Sequence, residues 1–430
     1  MSQKQAVLLI HGIGEQRPMD TLRGFVDSVW ASDQSVKHEH ATAGVWSKPD
    51  TISGSFELRR LTTSKSRSGV QTDFFEFYWA HLMEGTMVSH VLAWVRCLLI
   101  RWPWKVPKQL RGAWFLLLLL TLVILFFALQ TVLPEEWRVI DVPKWMTGAA
   151  GLIVAWIAVP IIKNIIGDAA RYLNPAPGNI KRRQEIRAKG VKLLEKLHKH
   201  GYRRIIVVGH SLGSVIGYDI LTHAWALYNN RGDASRGHPI MTGLEKMVAE
   251  AEYTVDDYRS CQTEMLNEMV QNGYNWRVTD FITLGSPLAH ASILLAADRE
   301  DLRHKQTSRE FPTCPPELEN GNFSYPPDRS QRTPHHAAVF APTRWTNLYF
   351  PSRLVFQGDL IGGPLSPVFG RGIRDVKVST SLRWGLASHT LYWTPDKGND
   401  TATHITLLRE ALALADPVPP KGEKTDEANL

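Results

Sequence analysis

The sequence predicts an α/β chain, a mostly parallel central sheet with helices on both faces, interrupted by a transmembrane helical hairpin. Three observations predict it. Short runs such as residues 205–208, IIVV, are apolar at every position, as strands covered on both faces are. One of these runs stops at a glycine corner and passes straight into a helical pattern from Leu212. Two long uncharged stretches, 113–133 and 146–162, stand apart from the rest.

The 430 residues suffice for one large domain or two ordinary ones, and 44% apolar residues allow a sizeable core. Cys97, Cys261 and Cys314 are too few and too scattered for a disulfide framework, which fits a reducing compartment. No signal peptide is expected, because the strand-like AVLLIHG begins at Ala6, before a basic region and cleavage site would fit.

The first expected strand, 7–10, runs into His11-Gly12-Ile13-Gly14. A turn of this type after a buried strand offers a backbone N–H to an oxyanion, and Ile13 is the expected donor. A phosphate-binding loop is disfavoured, since neither a GxGxxG pattern nor a Walker lysine follows. Residues 86–111 mix Trp94, Trp102 and Trp104 with basic residues, which suits either a segment at the lipid headgroups or an ordinary amphipathic helix.

Residues 113–133 hold no charge over 21 positions, a helix of roughly 31 Å. Residues 146–162 are shorter and carry Gly148, Gly151 and Pro160; they suit a second span or a re-entrant segment. Arg96, Arg101, Lys105, Lys108 and Arg111 precede the first stretch. Lys163, Arg171, Lys181, Arg182 and Arg183, less Asp168, follow the second. The connecting loop, with Glu135, Glu136, Arg138, Asp141 and Lys144, is acidic by one charge. Positive flanks stay cytoplasmic, so the expectation is a two-span membrane protein whose catalytic domain faces the cytoplasm. The two flanks together exceed the whole-chain charge of +7, which leaves nothing basic to argue for nucleic acid.

After the strand at 205–208 comes G-x-S-x-G, Gly209, Ser211 and Gly213, and then apolar Val215, Ile216, Ile220 and Leu221 at helical spacing. Strand, sharp turn and helix are the setting in which such a serine is a nucleophile. The glycines admit a strained corner, and the helix N-terminus directs the Leu212 N–H at the same point as an oxyanion donor.

A serine needs a base, and the base a carboxylate, here expected later in the chain. Strands at 277–284 and 345–350 follow. Asp359 lies past the second and is the favoured acid; Asp280 is the rival, but it falls at the start of its strand, at the wrong edge. Of the histidines after Asp359, His389 sits in a loop bounded by Gly385 and Pro395, whereas His404 opens a helix, so His389 is the expected base. His210 is read as pointing along the turn and as a poor base. Remaining histidine pairs lack zinc spacing, and no metal or cofactor is expected.

With these residues in hand, the chain resembles an α/β-hydrolase serine lipase or esterase of membrane-anchored bacterial type. LLIHGIGEQ, VVGHSLGS and TLGSPL carry the resemblance, over residues 6–30, 202–227 and 277–415. Ser214 departs from the glycine many lipases carry there. The resemblance implies the α/β-hydrolase fold, with the HG strand paired directly to the nucleophile strand and residues 74–79, FFEFYW, as the strand between the HG strand and the hairpin. It divides the chain into hydrolase segments at 1–85 and 176–415, a membrane segment at 86–175 and a disordered tail at 416–430. Insertions at 229–274, with Met247, Met265 and Met269, and at 297–343 suit either caps over the site or surface decoration.

The function expected is hydrolysis of carboxyl esters of lipids by a membrane-anchored serine hydrolase, through an acyl-enzyme on Ser211. The partners expected are a lipid or acyl-ester substrate and a membrane, not nucleic acid. A thioesterase or protein deacylase would use the same triad, and a silent membrane scaffold is the remaining alternative. Oligomeric state stays open.

Overall fold

The computed structural model describes residues 3–12, 17–36, 44–83, 102–106, 110–132, 134, 137, 172, 177–234, 236–326, 331–352, 357–379, 388–395 and 402–419. The chain divides into two compact units. Met1–Gly12, Gln16–Trp79 and Gln184–Leu430 make the first; Ile13–Glu15 and Ala80–Arg183 make the second.

The first unit is an α/β structure with a mostly parallel central sheet. Its strands are β1 (Gln3–Ile10), β2 (Val45–Pro49), β3 (Arg59–Lys65), β4 (Val70–Phe77), β5 (Arg204–His210) and β6 (Val278–Leu284). A small hairpin of β7 (Ser324–Tyr325) and β8 (Thr333–Pro334) stands outside the main sheet, which β9 (Arg344–Tyr349) and β10 (Arg374–Lys377) complete. The main sheet runs β10-β9-β6-β5-β1-β4-β3-β2. From β10 to β4 every pair is parallel, and β3 and β2 close one edge antiparallel.

β5 is buried at every position because helices cover both faces of the sheet. On one face Val7, Leu9, Ile206, Val208, Ile282 and Leu348 meet α1 (Asp20–Val26) and the C-terminal helix Thr403–Leu412. On the other lies Leu212–Trp225, whose Gly217 approaches the Phe281 ring so closely that a Cβ would stand 2.9 Å from it. From β1 the chain goes out to the β2 edge and returns through β3 to β4 beside β1, and the later segment then pairs β5 on β1's other side. The strand order therefore reverses between β1 and β5. A crevice opens at the carboxyl ends of strands at such a reversal. Ile10 stands opposite Gly209 there, so the HG turn and the serine corner leave the sheet side by side.

The methionines of the 229–274 insertion are core residues in part. Met265 and Met269 on the helix Val255–Gln271 are buried, and that helix is held to the main body by Tyr258 and Gln262, which donate to the Phe340 carbonyl at 2.8 Å each. At the other end of the chain Val418 is buried, inside the stretch expected as a disordered tail.

The second unit overturns the transmembrane hairpin. Among the described residues no helix is long and apolar enough to cross a membrane. A helix, α2 (Arg111–Val132), does form where the first span was expected. Among the described side chains of α2, Trp114 and Gln130, near its two ends, are buried. Phe115, Leu119, Leu122, Leu125 and Leu129 are exposed between them. The second expected span, 146–162, lies outside the described residues. The two-span membrane localisation with a cytoplasm-facing catalytic domain is corrected on the same finding. Trp102 and Trp104, of the segment read as lying at the headgroups or as an ordinary amphipathic helix, are exposed and stacked on each other at 4.9 Å.

Candidate active site

Ser211 sits between β5 and α3 (Leu212–Trp225), with φ 53° and ψ −129°. A side chain other than glycine's costs energy at such a φ, and the fold holds the residue there. The flanking glycines are required by contact. A Cβ on Gly213 would stand 2.2 Å from the Ile10 carbonyl oxygen, and one on Gly209 would stand 2.5 Å from Ser214 Cα. Gly12 on the neighbouring turn would place a Cβ 2.9 Å from Ser211 Cβ. The Ser211 N–H donates to the Leu284 carbonyl of β6 at 2.9 Å, which ties the corner to the next strand. Ser214 hydrogen-bonds the Ser211 carbonyl and Ser286 Oγ, at 2.6 Å each. The departure from glycine at 214 is thus used to stitch the corner to the GSP turn after β6.

Leu212 opens the helix. Its N–H is one of the first-turn donors that have no partner within a helix, and it lies at the positive end of the helix dipole. Ile13, the other expected oxyanion donor, lies outside the described residues. The turn that carries it is anchored at its start. His11 is buried and stacked on Trp79 at 5.1 Å, and it accepts from the Trp79 N–H through Nε2 at 3.3 Å.

Asp359 and His389 come together. His389 Nδ1 lies 2.9 Å from Asp359 Oδ2, and both residues are buried. Asp359 follows β9 by a ten-residue excursion, yet the loop folds back: its N–H donates to the Phe350 carbonyl at 3.3 Å. The return depends on Gly358, at φ 79°, where a Cβ would meet the Pro351 carbonyl at 2.0 Å. The carboxylate also accepts from the Ile361 N–H and the Tyr392 hydroxyl, at 2.8 Å each. Burial opposes its charge, but the His389 ring, the Gly362 N–H and the Tyr392 hydroxyl outweigh burial and hold the carboxyl at about 2, below its ordinary 3.8. Asp359 is therefore an anion at neutral pH, and it orients the imidazole with Nε2 turned away from it. That Nε2 is buried and has no hydrogen-bond partner among the described residues.

The His389 loop is also held to the serine corner. His210, which precedes Ser211, places its Nε2 2.8 Å from the His389 carbonyl oxygen, and the two rings lie 5.0 Å apart. The ring was expected to point along the turn; it faces the histidine loop instead. Burial and the neighbouring His389 push its pKa down to about 3.

The rivals lie elsewhere. Asp280 is at the opposite end of β6, in a buried ion cluster with Arg204 at 2.8 Å and Arg344 at 2.8 Å. His404 directs Nε2 at the Thr394 carbonyl at 2.8 Å. Among the described residues no group of His, Cys, Asp and Glu is arranged to hold a metal ion.

Sequence reasoning missed Tyr392, Gly285 and Gly362. The last two make room for the Asp–His pair: a Cβ on Gly285 (φ 57°) would stand 2.8 Å from Asp359 Oδ2, and one on Gly362 would stand 2.7 Å from the same oxygen. A tyrosine three residues past the histidine and glycines in GSP and IGGP were the available signals.

No protein-family model matches the chain, and comparison with curated proteins and with solved structures returns no match. The local geometry alone therefore bears on function.

Proposed function

We propose that this chain is a serine hydrolase that cleaves carboxyl esters through an acyl-enzyme on Ser211, carried on its mostly parallel α/β sheet. One observation carries the reading. A buried Asp359–His389 pair lies at the carboxyl edge of a parallel sheet, linked through His210 to a strained serine that opens a helix.

The chemistry runs as follows. His389 Nε2 takes the Ser211 hydroxyl proton as Oγ bonds to the ester carbonyl carbon. Asp359 stabilises the imidazolium that forms. The carbonyl π electrons move onto oxygen, where the Leu212 N–H and the dipole of its helix stabilise the negative charge. Collapse breaks the bond to the alkoxy group, which leaves with the proton from Nε2. Water then repeats the sequence and releases the acid.

Lipid esters are the substrate class best supported. Phe115, Leu119, Leu122, Leu125 and Leu129 expose apolar side chains along α2, and surfaces of this kind suit apolar partners.

A fluorophosphonate probe tests the reading. Wild-type protein should be labelled at Ser211 and Ser211→Ala should not, with ester turnover lost together with labelling. An unlabelled, folded wild type that hydrolyses neither short-chain nor long-chain esters would overturn it.

A further inference from the structure

His210 is buried and makes no proton transfer in the scheme above, yet it lies where three parts of the site converge. Its backbone belongs to the serine corner. Its Nε2 lies 2.8 Å from the His389 backbone carbonyl. A Cβ on Gly12, in the HG turn, would stand 3.0 Å from its Nδ1. Trp393 closes the ring edge-on at 4.9 Å, and the Tyr392 ring lies at 5.9 Å.

A carbonyl oxygen only accepts, so His210 must donate through an Nε2–H. Burial keeps the ring neutral, so its single proton sits on Nε2. The contact is to the backbone of the base, not to its ring. It therefore sets where the His389 loop stands relative to the residue next to His210 in the chain, which is Ser211. Asp359 and Tyr392 orient the imidazole; neither touches the serine corner through a hydrogen bond among those described.

We infer that His210 is a positioning residue, a strut whose Nε2–H ties the His389 loop to the serine corner. The inference rests on the hydrolase reading for its catalytic consequence, but the strut itself is a structural claim that can be tested without turnover.

Three measurements decide it. In the wild-type chain carrying 15N-histidine, His210 should titrate as a neutral Nε2–H tautomer from pH 5 to 8; the other tautomer, or a protonated ring, overturns the strut. In His210→Phe, which keeps an aromatic filler and deletes the donor, backbone hydrogen exchange across 388–395 should rise at least several-fold. His210→Gln returns a donor near the Nε2 position and should restore protection. Unchanged exchange in a folded His210→Phe overturns the proposal, and the tautomer measurement stands if that variant does not fold. Where turnover is measurable, His210→Phe should lower kcat by about 10- to 100-fold with KM unchanged, and His210→Gln should recover most of it. Altered exchange beside an unlabelled wild type leaves the strut in place and removes the hydrolase reading.

Discussion

A single hydroxyl fixes the acid of the candidate site. Tyr392 donates to Asp359 Oδ2 at 2.8 Å and accepts the Phe350 N–H at 3.2 Å, so one residue bonds both the carboxylate and the strand end from which its loop departs. Tyr392→Phe should cost on the order of 1 kcal/mol of stability and lower ester turnover less than Asp359→Asn does, with urea unfolding and kcat as the measurements. Gly285 is less forgiving. At φ 57° with Asp359, Tyr392 and His389 all within 3.0 Å of the missing Cβ, Gly285→Ala should destabilise by roughly 1–3 kcal/mol and abolish activity. For the proposed triad residues, His389→Ala and Asp359→Asn should each reduce turnover on the order of 10³- to 10⁴-fold while the melting temperature changes little by comparison. The serine corner with its glycines and the Asp359–His389 pairing were legible in the sequence, because a serine between glycines after an apolar run marks a sharp turn and few histidines follow the acid. Tyr392 and Gly285 were not, because their partners lie far from them in sequence.

At the scale of elements, the strand end carries a second, unrelated buried acid. Glu76 is the residue before the last of β4 and accepts from the Met19 N–H at 2.8 Å with one oxygen. Its other oxygen is buried with no hydrogen-bond partner among the described residues. Burial first, and then Asp20, raise its pKa from 4.5 to about 7, against the lowering effect of the Met19 bond. The folded protein thus holds this proton over pH 4.5 to 7, where the unfolded chain has released it. The stability it favours is present at low pH and is lost as pH rises through that window. Glu76→Gln should therefore be more stable than wild type at pH 8, by about 2–3 kcal/mol, and nearly equal to it at pH 4.5; parallel melts across pH 4.5–8 decide the matter. The same strand illustrates what periodicity can and cannot supply. The apolar pattern of 74–79 located β4, but a continuous run of buried positions does not say that a glutamate among them will be left half-bonded at the strand end.

Across the whole molecule the two ends of the sheet do different work. The carboxyl end carries the candidate site. The opposite end is closed by the Arg204–Asp280–Arg344 cluster, and Arg204 also donates to the Leu412 and Ala413 carbonyls, which fastens the C-terminal helix to β5. Burial opposes the Asp280 charge, but Arg344 and Arg204 outweigh it and hold the carboxyl well below its ordinary range. Asp280→Asn strands two guanidinium groups, one of them fully covered, and should cost about 3–5 kcal/mol in denaturant unfolding. Ser211 labelling should persist in whatever fraction remains folded, because this cluster lies at the far edge.

By itself the sequence determined the local events: which runs become strands, where the chain turns sharply, and which hydroxyl occupies that turn. These follow from side-chain size, branching and glycine placement within a few residues. Tertiary structure alone decided what each face meets. It brought Asp359 back through Gly358 and turned His210 toward the histidine loop. It buried Met265 and Met269 in the core, and it covered Trp114 and Gln130 on a helix read as spanning a membrane. The physical reason is that hydrophobicity measures a side chain's preference for leaving water, whereas the partner that receives it is chosen by contacts between segments hundreds of residues apart.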